Sequence, residues 1–90
     1  MIKYYAQVKA NGQFQNLLKQ VGDDFFGAYY RGPRSIGLSW DKCNLSGVDM
    51  YQETTISEYI ENIKKQTDTQ YNNDIIKLLK TEFYEEILNE

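Results

Sequence analysis

Two adjacent aromatic pairs, Phe25-Phe26 and Tyr29-Tyr30, and two arginines, Arg31 and Arg34, carry most of this chain's capacity for recognition chemistry. Large rings and guanidinium groups combine apolar area with directed polar contacts, and Tyr, Trp and Arg are enriched at binding hot spots. Side chains alternate across a strand, so each adjacent pair sends one ring to either face of a sheet. One face can be core, while the other holds large rings that lack an obvious cover. Tyr5 and Tyr51 are further aromatic candidates for that contact face. The sequence leaves open which ring of Phe25/Phe26 and of Tyr29/Tyr30 points outward.

Catalytic chemistry finds little material. The chain has no His, which removes the commonest general base and the usual catalytic triad. One cysteine cannot build a thiolate metal cluster or an internal disulfide, which fits a reducing, cytoplasmic setting. Cys43 follows Asp41-Lys42, with no strongly electropositive surroundings to activate a thiolate. The glycines Gly22, Gly27, Gly32 and Gly37 follow no phosphate-binding pattern. The segment from Asp41 to Ser46 fails the EF-hand spacing. No catalytic residue, metal site or cofactor is therefore expected, and the reading is of a non-enzyme.

Charge separates the two parts of the chain. The net charge of the 90 residues is −3, yet residues 1–52 carry +2 and residues 53–90 carry −5. A strand-rich segment that is mildly basic thus precedes an acidic, helical one. Within the latter, Asp74, Leu78, Glu82 and Glu85 fall on one side of a helix, an acidic stripe suited to a basic partner. Acids at Glu82, Glu85, Glu86 and Glu90 crowd the end of that helix, where the macrodipole favours cations. No apolar run is long enough for a membrane span, and the first residues lack the pattern of a signal peptide.

The elements that would position these residues follow from periodicity. Ile2, Tyr4, Ala6 and Val8 alternate with polar partners, a half-buried strand. Asn11-Gly12 signals a two-residue hairpin turn with positive φ tolerated at both positions. Residues 13–21 form the returning strand with Phe14 and Leu18 on one face, and a short helix through 16–19 is the competing reading. Residues 25–31 and 34–41 make a hairpin about Gly32-Pro33, with Ile36, Leu38 and Trp40 sharing one face. A short fifth strand or an extended loop falls near 48–52. Thr55-Ile56-Ser57-Glu58 opens a helix over about 55–66, whose apolar stripe is Ile56, Tyr59, Ile60 and Ile63. A second helix runs over about 73–89, capped by Asn73 or Asp74, with Ile75, Ile76, Leu79, Phe83 and Ile87 buried. The expected fold is α+β, an antiparallel meander against two helices in one domain.

These features point to a small binding module that works by protein–protein contact. Size, acidity and isolated-domain character are common among regulators and inhibitors encoded by mobile elements. The partner class so implied is a larger, nucleic-acid-handling protein, and a homodimer seam is a second use of the same face. One alternative is stacking of single-stranded nucleic acid on the aromatic sheet, which the acidity opposes. Another is capture of a small ligand in a pocket lined by Trp40 and tyrosines.

Overall fold

The computed structural model describes residues 2–30, 37–44, 50–66 and 69–90, with the side chains of 69–71 left aside. Five strands form one antiparallel sheet: β1 (Ile2–Val8), β2 (Phe14–Val21), β3 (Asp24–Tyr30), β4 (Leu38–Cys43) and β5 (Tyr51–Thr54). Three helices follow, α1 (Ile56–Lys64), α2 (Thr69–Glu82) and α3 (Tyr84–Leu88). The strand order β4-β3-β2-β1-β5 is a meander through its first four strands. β5 then lies at the far edge, paired with β1 through Tyr4–Thr54 to Gln7–Tyr51. The fold is α+β with an antiparallel sheet, as the periodicities imply, and the fifth strand sits a few residues later than expected.

The helices pack on one face of the sheet. That core joins Ala6, Phe14 and Leu17 to Ile56, Tyr59, Ile60 and Ile63 of α1, and to Ile75, Ile76, Leu79 and Phe83. Tyr4, Val8, Ala28, Tyr30, Leu38 and Trp40 close around it from the strands. Burying these side chains supplies the main favourable term, at roughly 25 cal/mol for each Å² of apolar surface removed from water.

The segment expected as the returning strand is one, and the competing helix does not form. One expectation for β2 needs correction: Phe14 and Leu18 do not share a face. The ladder with β1 slips between Ala6 and Gln7, so that Gln7 opposes Gln15 and Ala6 opposes Leu17. Asn16 is the extra residue, in the left-handed region at φ 54°, a conformation asparagine tolerates better than most residues. The bulge resets the alternation. Phe14 and Leu17 therefore face the helices together, and Leu18 turns to the opposite face.

The first hairpin also differs in its turn. Lys9 N–H donates to the Gln13 carbonyl and Gly12 N–H to the Lys9 carbonyl, both at 2.9 Å, which closes a three-residue loop. Only Gly12 takes positive φ there, at 84°. A turn followed by a left-handed glycine gives the strands their twist without the two-residue form expected at Asn11-Gly12.

Helix α1 starts as its sequence dictates, with Thr55 Oγ accepting from Glu58 N–H at 3.1 Å. Asn62 fixes it to the first hairpin: Oδ1 accepts Phe14 N–H at 2.8 Å and Nδ2 donates to the Gly12 carbonyl at 3.1 Å. Asn72, buried on α2, donates to the Ile63 carbonyl at 3.1 Å and ties α2 to the end of α1. The single second helix expected over 73–89 is two, beginning at Thr69 rather than at a cap on Asn73 or Asp74. They meet at Phe83 (φ −114°, ψ 31°), whose ring is held edge-on by Tyr4 at 5.6 Å and by Trp40 at 6.2 Å. No helix among the described residues is long and apolar enough to cross a membrane.

Candidate functional site

Strand register sorts the aromatic pairs. Ala28 opposes Trp40 and Tyr30 opposes Leu38, all against the helices, so Phe26, Ala28 and Tyr30 share that side. Phe25, Gly27 and Tyr29 project from the other face, with Cys43, Asp41 and Ser39 as their partners on β4. On β1 the same face carries Lys3, Tyr5 and Gln7, and on β5 it carries Tyr51 and Glu53. No helix among the described residues packs on it.

This open face has an apolar foundation. Leu18 is only 4% exposed although it lies outside the helix-side core. Its cross-strand neighbours are Tyr5 on β1 and Gly27 on β3. The Tyr5 and Phe25 rings meet edge-on at 6.1 Å with 60° between their planes, reaching over β2 from either side. Tyr5 also donates its hydroxyl hydrogen to Gln20 Oε1 at 3.1 Å, while Gln20 Nε2 donates to the Gly22 carbonyl at 2.9 Å. The Tyr5 ring is thereby fixed at both its face and its tip. Tyr29 stands further along the face, 45% exposed, as a large aromatic surface open to solvent.

The electrostatics of the face are set by which lysines it lacks. Lys19 belongs to the helix side, its Nζ 4.4 Å from the Trp40 ring centroid and 5.8 Å from that of Phe26. Lys42 is on that side too, 3.4 Å from Asp24 in an exposed ion pair of little energetic weight. Among described strand residues the open face retains Lys3 against Asp41 and Glu53. Among the described residues, the mild basicity of the first 52 residues thus does not translate into a basic sheet surface.

Of the candidates from sequence, Tyr5, Phe25, Tyr29 and Tyr51 come together on one face. Tyr30 does not join them: its ring packs against the core, and it leaves the contact set. Arg31 and Arg34, with the turn at Gly32-Pro33 and Ile36, lie outside the described residues. Glu82 and Glu85 are exposed near the α2–α3 junction with Asp74 exposed earlier on α2, while Leu78 is half-buried. Leu18 and Gln20 are the contributors not anticipated. The signal was present in Leu17-Leu18, an adjacent apolar pair that obeys the same two-face logic as the aromatic pairs.

Two solvent-open grooves flank this arrangement rather than occupying it. One of about 370 Å³ follows α1 beside Phe14, Glu58, Glu61 and Lys65. The other, of about 640 Å³, lies between the β1–β5 edge and α3. Neither is lined by Trp40, so the expected tryptophan-lined pocket has no counterpart in them. Among the described residues no group of three or more Cys, Asp or Glu side chains is placed to hold a metal ion. No protein-family model, curated protein or solved structure matches this chain.

Proposed function

We propose that this chain is a non-enzymatic binding module that docks a protein partner on the open face of its sheet. One observation carries the reading: the helices cover a single face, yet the opposite face is also built from apolar and aromatic side chains, with Leu18 buried beneath solvent-facing rings. A face exposed only to water has no need of that composition, and contiguous aromatic surface with a polar surround is typical of contact sites. The Tyr5–Phe25 pair supplies a pre-ordered platform and Tyr29 the exposed anchor. Asp41 and Glu53 on the open face complement a partner with a basic surface, while Asp74, Glu82 and Glu85 belong to the helices on the other side of the sheet. A regulator or inhibitor of a larger protein is the role that this combination suits.

Stacking of single-stranded nucleic acid is the second reading, because exposed rings on a sheet can serve as base platforms. Lys19 and Lys42 on the helix side, with Asp41 and Glu53 on the open face, weigh against phosphate tracking there. The discriminating experiment is affinity capture from the native host with wild-type protein and with Tyr29→Ala, followed by titration of the captured partner. Selective loss of one protein with the variant supports the proposal. Equal capture by both, or submicromolar binding of single-stranded oligonucleotides at physiological salt, overturns it.

A further inference from the structure

Glu90 makes a contact that the contact-face reading does not use. Its side-chain carboxylate spans the start of α1, Oε1 accepting Ile56 N–H at 2.8 Å and Oε2 accepting Ser57 N–H at 3.0 Å. Thr55 Oγ takes the next N–H, from Glu58, so the first three amides of α1 are all satisfied by side chains. The first amides of a helix have no partner within it and sit at the positive end of its dipole. A carboxylate that accepts from two of them makes charge-assisted bonds, among the stronger hydrogen bonds a protein forms.

The segment that carries Glu90 is otherwise weakly held. α3 has five residues, too few to be stable by itself. No side-chain hydrogen bond caps its start, and its last turn has no basic residue. Tyr84 and Leu88 are 63% and 66% exposed, leaving Ile87 as the side chain of α3 that packs on the core. At its base Phe83 departs from helical geometry while its ring stays pinned between Tyr4 and Trp40. Beneath α3 runs the larger groove, bounded by Ile2, Tyr4, Thr54, Glu86 and Glu90.

We infer that α3 is a lid hinged at Phe83 and latched by Glu90 onto the first turn of α1, its single turn unwinding as it leaves α1 and widens the groove over Tyr4. Two points hold it shut, the Ile87 contact and the Glu90 latch, and the latch is the one that any competing anion at the α1 start can displace. The burial that raises the Tyr4 hydroxyl pKa, together with Glu86 and Glu90, agrees with α3 lying over that ring in the closed state. The inference stands independently of what binds the open sheet face.

Amide hydrogen exchange on the full chain tests it, with Glu90→Ala, Glu90→Gln and, as a control, Glu85→Gln. The expected result is exchange at Ile87 and Asn89 accelerated by about tenfold or more in Glu90→Ala, while Leu17, Leu18 and Tyr59 retain wild-type protection. Glu90→Gln, which keeps one oxygen acceptor, falls between the two and serves if the alanine variant does not fold. Glu85→Gln exchanges like wild type. Unchanged protection at Ile87 and Asn89, or equal acceleration across the sheet and α3, would overturn the latch.

Discussion

The Tyr5 ring on β1 reaches the Phe25 ring on β3 edge-on at 6.1 Å, across the strand that separates them. Neither residue pairs with the other in the ladder. The register brings them near: Tyr5 opposes Leu18 and Phe25 opposes Gln20, two residues further along the same face of β2. An edge-to-face pair of this kind adds about 0.5–1.5 kcal/mol beyond its buried area. On the proposed reading, a partner meets a Tyr5–Phe25 pair that is already in place, and little entropy is lost on docking.

Leu18→Ala is expected to destabilise the fold by about 2–5 kcal/mol although no described helix covers this residue, because its burial is that of a core side chain. Chemical denaturation followed by far-UV circular dichroism measures this. A loss below about 0.5 kcal/mol, the range of an ordinary surface substitution, would show that the open face has no structural foundation.

Asn62→Ala should cost about 1–3 kcal/mol, since the Phe14 N–H and the Gly12 carbonyl both lose a partner at a half-buried position. Hydrogen exchange at Phe14 locates the effect. Faster exchange there, with Ala6 and Leu17 unaffected, is the expected pattern, and full Phe14 protection in the variant contradicts the assigned role.

Tyr4 gives the fold an alkaline limit. Burial is the main cause that holds its hydroxyl above the ordinary tyrosine value of about 10, with Glu86 and then Glu90 adding to it. A group whose folded pKa is raised contributes stability that is complete below the unfolded value and is lost as pH rises through the folded one. Stability should therefore fall above about pH 10 more steeply in wild type than in Tyr4→Phe. Denaturation midpoints measured from pH 8 to 11 provide the check. Parallel curves for the two proteins would refute it.

Much of this architecture was legible in the residue pattern because the driving periodicities are local. The alternation Ile2-Tyr4-Ala6-Val8 and the stripe Ile56-Tyr59-Ile60-Ile63 each need only their own element to be read. The direction of Leu18 was not legible, since it depends on a bulge at Asn16 that nothing in the alternation announces. The break at Phe83 was hidden for a similar reason. The Phe83 ring there packs against Tyr4 and Trp40, which are distant in sequence. The acids at the end of the second helical segment looked misplaced for the same cause: Glu90 serves the positive end of α1, 33 and 34 residues away, rather than its own helix. Within the candidate site, the adjacent aromatic pairs announced two faces, but only the strand register separates Tyr29 from Tyr30.

The role of the open face rests most directly on Tyr29, exposed and not part of the helix-side core. Titration calorimetry of the captured protein partner against wild type and Tyr29→Ala is the decisive measurement, with thermal unfolding run alongside. The expected result is a loss of about 2 kcal/mol or more in binding, roughly thirtyfold in Kd, at nearly unchanged stability. Full affinity in the Tyr29→Ala protein would contradict the assignment of this face as the contact surface.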